Sequence, residues 1–229
     1  MKKLAEQLRS MMAEKANKEN AVHMKAYMKG KFPFFGIKTP QRREIEKQFF
    51  TETGILKQPF SEEFVLSLWD FPERELQAAA MDYIEKFLKQ LTKEHFYLMK
   101  KLITSKSWWD TVDMLAQKPV GKIAADHPEL IQEEIEHWAV ASDMWLRRSA
   151  IIFQLKYKER TNEELLYRYI TLNADSKEFF IQKGIGWALR EYSKTNPESV
   201  KSFISSHRLA PLSVREGSRH LPARLFPGE

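Results

Sequence analysis

Helix-start signals recur along this chain at short intervals, while strand signals hardly appear. Thr39-Pro40 sets a hydroxyl ahead of a proline at the first helical position. Ser61, Asp70 (before Phe71-Pro72-Glu73), Thr92 and Ser176 read as further caps. Ser107 to Asp110, Thr161 to Glu164 and Ser213 to Glu216 have the hydroxyl-to-acid spacing of a capping box. The 8 glycines in 229 residues are half the usual share of roughly 7%, too few for a β-sandwich or a glycine-loop nucleotide fold. Prolines and glycines fall mostly at the joints between these segments. The expectation is about twelve helices joined by short loops, forming one all-α domain over 1–229.

The helices also repeat. Long polar residues followed by small or aliphatic ones occur in RELQAAAM, WLRRSAIIF and FIQKGIGW. Stepping by 36, 35, 35 and 33 residues leads from Gln77 to Asp113, Arg148, Lys183 and Glu216. A period near 35 suits a solenoid of antiparallel helix pairs of the HEAT-like kind. Residues one period apart are then expected on one face of successive helices, joined by their i±4 and i+7 neighbours. That concave face gathers Asp113, Trp109, Arg148, Lys183, Trp187 and Arg190, a basic surface suited to a phosphate backbone.

Charge and composition narrow the function classes. Lys and Arg number 37 against 31 Asp and Glu, for a net charge of +6. Residues 141–229 hold 15 of the cations and 10 of the anions. Between Glu19 and Glu44 there is no carboxylate, but Lys25, Lys29, Lys31, Lys38, Arg42 and Arg43 interleave with Tyr27, Phe32, Phe34 and Phe35. Such a stretch suits a polyanion with flat bases, or a solvated helix face beside a hydrophobic staple. The absence of cysteine excludes disulfides, thiol nucleophiles and zinc fingers. The 6 histidines form no metal-ligand spacing, so no metal is expected. KGKFPFFGIKTP lacks the spacing of a Walker loop, and the GIG of GIGWALR follows no strand. Gly184 and Gly186 therefore mark either tight helix packing or close approach of a ligand. The N-terminus reads as an amphipathic helix, and no apolar run reaches membrane length. A cytoplasmic protein, nucleoid-associated when bound to DNA, and a monomer by default, is expected.

WWDTVD at 108–113 is the densest chemical candidate. Trp108 reads as core. Trp109 and Asp113 share one side of a short helix beside a cationic groove. A carboxylate there opposes polyanion binding, so phosphate contact alone does not explain it. It stabilises positive charge that develops in a substrate, and indole faces act in the same sense. An oxocarbenium-like sugar, formed as a glycosidic bond breaks, fits both.

These residues carry a resemblance. The stretches MKAYMK, GIKTPQRR, LWDFPERELQAAA, SKSWWDTVD, WLRRSAIIFQLKYK, SKEFFIQKGIGWALREY and LAPLSVRE resemble the AlkD family of alkylpurine DNA glycosylases, built from HEAT-like repeats. The resemblance covers nearly the whole chain. It implies a monofunctional glycosylase that hydrolyses the N-glycosidic bond of cationic N3- and N7-alkylated purines in duplex DNA, such as 3-methyladenine and 7-methylguanine. No metal, cofactor or base flipping is implied. Asp113 would be the catalytic carboxylate, stabilising the deoxyribosyl cation and orienting water, with Trp109 and Trp187 against the sugar. Arg148, Lys156 and Arg190 would hold the DNA backbone, and Tyr27 would approach the duplex from the N-terminal helices. Lys38 departs from the uncharged amide expected there and adds phosphate attraction. The alternatives are a non-enzymatic protein for branched or distorted DNA and, third, a protein–protein adaptor.

Overall fold

The computed structural model describes residues 1–221, and within them all regular structure is helical. The chain divides into two compact units, residues 1–91 and the part from Thr92 onward. Among the described residues no helix is long and apolar enough to cross a membrane.

The first unit contains α1 (Lys2–Ala13), α2 (Lys18–Tyr27), α3 (Thr39–Thr53), α4 (Glu62–Asp70) and α5 (Arg74–Lys86). Its core is made by Leu8, Met12, Phe49, Phe64, Leu68 and Tyr83. The expected caps hold in part. Ser61 accepts from the Phe64 amide at 3.1 Å as foreseen. Lys38, not Thr39, is the residue that precedes α3, because Pro40 takes the second helical position. Asp70 ends α4 instead of capping α5, whose first residue follows Glu73.

The loop between α2 and α3 is pinned from within. The buried Glu75 carboxylate accepts from the backbone N–H groups of Phe35 (3.2 Å), Gly36 (2.8 Å) and Ile37 (3.1 Å). Gly36 has φ +88°, and a Cβ there would lie 2.0 Å from the Asn17 carbonyl oxygen, so only glycine fits. The basic and aromatic segment thus has two parts. Phe32 lies buried under Arg74, whose guanidinium carbon is 3.9 Å from the ring centroid, and Arg42 is buried against Glu46 and Asp82 at 2.7 and 2.8 Å. Lys25, Tyr27, Lys29, Lys31, Lys38 and Arg43 remain exposed.

The second unit begins with α6 (His95–Ile103) and α7 (Trp109–Leu115). A π-helical turn, Ala116–Val120, joins α7 to α8 (Gly121–Asp126). Pro119 has no N–H to close an α-turn on Leu115, and the wider turn accommodates it. Then come α9 (Glu136–Ala139), α10 (Met144–Ile152), α11 (Glu163–Leu172), α12 (Phe179–Tyr192), α13 (Pro197–Ser206) and α14 (Pro211–Gly217). The apolar sides of α10 to α13 meet in a core of Ile151, Leu166, Ile170, Ile185, Leu189 and Phe203, among others. Along the other side α7, α10, α12 and α14 pack in that order.

Two of the capping boxes read from the sequence are corrected here. Ser107 donates back to the Ile103 carbonyl at 2.6 Å and does not cap α7. Ser213 lies inside α14, where it donates to the Gln182 carbonyl at 2.9 Å, so Ser213 and Glu216 tie α14 to α12. In the third, Asn162 caps α11 in place of Thr161, accepting from the Leu165 amide at 3.0 Å.

Candidate functional site

Trp109 and Asp113 stand one turn apart on α7, so they share a side of that helix. Both are half-buried. Asp113 faces Arg148 of α10, and the two form a bidentate pair. Arg148 Nε donates to Asp113 Oδ1 at 2.7 Å, and Nη2 donates to Oδ2 at 2.9 Å. Arg148 Nη1 donates to the carbonyl oxygen of Phe180 in the first turn of α12. One guanidinium therefore ties α7, α10 and α12 together. The Arg148 side chain is 5% exposed and that of Asp113 14%, so the pair sits where its attraction is little screened.

The surrounding packing fixes this arrangement. Phe180 meets Trp108 and Trp145 with ring centroids 5.0 Å away in each case, an aromatic cluster that places Trp108 in packing as the sequence suggested. Asp143 caps α10 by accepting from the amides of Trp145 and Leu146 at 2.7 and 3.3 Å. A Cβ on Gly121 would lie 2.5 Å from the Phe153 carbonyl oxygen, so the segment after α7 runs against the end of α10. Tyr157 donates to the Gly121 carbonyl at 2.5 Å across the same seam.

Next in the row, Lys183, Trp187 and Arg190 follow one another along α12. Trp187 is half-buried against the core. Lys183 Nζ and Arg190 Nη1 both reach the buried carboxylate of Glu216 on α14, at 3.0 and 3.1 Å, with Arg219 at 3.5 Å. The Lys183 hydrogen bond, reinforced by these charges against the cost of burial, holds the Glu216 carboxyl below its ordinary range.

The residues read from the sequence thus fall into three groups. Asp113, Trp109, Arg148, Lys183, Trp187 and Arg190 lie on the neighbouring helices α7, α10 and α12. Lys156 is exposed just after α10. Tyr27 (68% exposed) and Lys38 belong to the first unit, at the ends of α2 and before α3. Two expectations change. Arg148 is not an outward cation on an open groove: it is buried, with three of its N–H groups donated within the protein. Gln77, the first member of the periodic series, is fully buried and donates to the Phe71 carbonyl at 2.6 Å.

Sequence reasoning missed Glu216 as a partner, and it left Gly184 undecided. Two of the three steps from Asp113 onward join opposite charges, Asp113 with Arg148 and Lys183 with Glu216, while Arg148 and Lys183 between them are both cations. The opposite sign of Glu216 was the signal for its pairing with Lys183. Among the described residues no group of three or more His, Asp or Glu could hold a metal ion.

Known proteins agree with this architecture. The family model described as DNA alkylation repair enzyme matches residues 8–221. The solved structure of a predicted DNA alkylation repair enzyme from Enterococcus faecalis is 36% identical, with a TM-score of 0.83, and the match covers 91% of this chain and 97% of that one. The protein smu.31 from Streptococcus mutans UA159, 17% identical with a TM-score of 0.58 over 79% of this chain and 98% of its own, shares the fold. No curated protein matches. The family match and the first of these structures extend over nearly every helix described above, and the chain belongs to the DNA alkylation repair enzyme family.

Proposed function

We propose that this protein, acting as one domain over 1–229, is a monofunctional DNA glycosylase. It hydrolyses the N-glycosidic bond of N3- and N7-alkylated purines in duplex DNA and leaves the base unflipped. The observation that carries the reading is the Asp113 carboxylate, held by both oxygens in the Arg148 fork beside Trp109. In such a lesion the purine is already cationic. The bond from C1′ to the ring nitrogen breaks, its electron pair leaves with the base, and the base departs neutral without a general acid. The positive charge passes to the deoxyribose, where a fixed carboxylate and indole faces stabilise it. Water then adds to C1′ and passes its proton to solvent, leaving a 1′-hydroxyl on the sugar.

The Arg148 fork answers the difficulty of an acid beside phosphates. Each Asp113 oxygen accepts one hydrogen bond from Arg148 and keeps a further acceptor direction, one for the sugar cation and one for water. Arg148 offsets the carboxylate's repulsion of the backbone. Tyr27, Lys38, Lys156, Lys183 and Arg190 supply contacts to the duplex in this reading.

The test is release of free base from N7-methylguanine duplex, without added metal, by wild type and Asp113→Asn. Release by wild type, with a loss of about 10²–10³ and unchanged or tighter DNA binding in the variant, supports the reading. No release by either, with DNA still bound, replaces it with recognition of DNA structure.

A further inference from the structure

The two glycines of GIG on α12 have different neighbours. At Gly186 a Cβ would lie 2.5 Å from Glu216 Cβ and 3.1 Å from the Ser213 carbonyl oxygen. The missing side chain there lets α14 approach, a matter of helix packing. At Gly184 the three nearest atoms all belong to one side chain: Arg148 Nη1 at 3.0 Å, Cγ at 3.5 Å and Cζ at 3.8 Å. Both glycines lie inside a helix, where alanine is the more favourable residue. Backbone conformation gives Gly184 no reason to be glycine, since its φ is not among the positive ones.

Arg148 also has little freedom to yield. Its Nε and Nη2 are fixed on the two oxygens of Asp113, and its Nη1 donates to the Phe180 carbonyl. A methyl group at Gly184 meets the guanidinium at the nitrogen that anchors the fork to α12. Moving that nitrogen turns the plane of the fork, and the Asp113 carboxylate turns with it.

We infer that Gly184 is a positioning residue for base excision: its bare backbone is the bed on which the Arg148 guanidinium lies, and this sets the direction of the Asp113 carboxylate. The consequence for activity rests on the glycosylase reading above. The contact itself does not.

The experiment compares Gly184→Ala with wild type in the full chain, alone and with Arg148→Met. For N7-methylguanine duplex, kcat falls about 10-fold while KM stays within about 2-fold, since the 3.0 Å contact shifts the guanidinium by less than the ~1 Å misplacement that costs about 10²-fold. Tm is held in Gly184→Ala and drops in Gly186→Ala, where two helices collide. With Arg148→Met present, Gly184→Ala causes no further loss of kcat, because the group it displaces is gone. A fall in kcat of the same factor with and without Arg148 overturns the inference, as does a fall of less than about 3-fold in the wild-type background.

Should Arg148→Met fold poorly, the uncharged Asp113→Asn/Arg148→Met protein serves as the background for Tm. There Gly184→Ala raises Tm by about 2–4 °C, the gain of an unobstructed helix alanine in a chain of this size, whereas with Arg148 present the gain is lost. Equal shifts in both backgrounds overturn the inference. This readout needs no activity. If wild type releases no base, the glycosylase reading fails and the Tm comparison alone decides the role of Gly184.

Discussion

Replacing Arg148 by methionine keeps an aliphatic stem and removes the fork. It leaves the Asp113 carboxylate in a site where its side chain is 14% exposed, with no guanidinium on either oxygen. Breaking a buried pair by removing one partner costs about 3–5 kcal/mol, mostly as the desolvation of the survivor. Asp113 keeps some access to water, which places the expected cost near the lower end, at about 3 kcal/mol. For a chain of this length that corresponds to a Tm lower by about 6–12 °C. Asp113→Asn costs a similar amount, because it orphans the more deeply buried Arg148 guanidinium and sets an amide N–H against one of its donors, although the Phe180 carbonyl still accepts.

Removing both charges in Asp113→Asn/Arg148→Met restores most of the loss, since neither member is left as an orphaned ion. Urea or thermal unfolding of the four proteins at pH 7 yields the coupling directly, expected to exceed either single loss. Single losses below about 1 kcal/mol that simply add would refute the reasoning. They would place the pair among solvent-screened surface bridges and remove its claim to hold the carboxylate.

Lys156→Ala should lower the slope of log binding constant against log salt by about one, whereas Arg148→Met should change it by less than half of that, because its fork is engaged by Asp113; titration of labelled duplex at several salt concentrations measures both. Glu216→Gln frees Lys183 and Arg190 from their shared carboxylate. Because the folded protein holds Glu216 below its ordinary range, this group stabilises above the unfolded value of about 4.3 and the contribution fades as pH falls through the folded one; the variant should flatten that acid-side loss in a Tm-against-pH series. Glu46 acts with the opposite sign: burial pushes it up to about 8 despite Arg42, so stability declines as pH rises from about 4.3 toward 8, and Glu46→Gln should remove that decline in the same series.

The helices were legible because their signals are local. A hydroxyl, an amide or a carboxylate ahead of an apolar pattern satisfies the free N–H groups of a first turn wherever the rest of the chain lies. Ser61 shows this, and α11 starts where the signal placed it although Asn162, not Thr161, supplies the cap. The failures were also physical. Ser107 and Ser213 have the spacing of caps, yet each hydroxyl finds a carbonyl, one in the helix before it and one on a neighbouring helix. A hydroxyl is both donor and acceptor, and which role it takes depends on packing that spacing alone does not contain.

The period near 35 was correct for a reason different from the one first drawn. It was read as setting like positions side by side to face a ligand. In the second unit, two of the three successive pairs instead touch as opposites, Asp113 with Arg148 and Lys183 with Glu216. The middle pair, Arg148 and Lys183, are like charges, and each is turned to its own carboxylate, which offsets their mutual repulsion. The two carboxylates Asp113 and Glu216 are thus met by four cations, Arg148 on the first and Lys183, Arg190 and Arg219 on the second. Under the proposed glycosylase activity, the carboxylates would let a positively charged sugar lie beside Asp113 without the repulsion that uncompensated cations would impose, and such an enzyme would need that compensation more than the strongest grip on DNA.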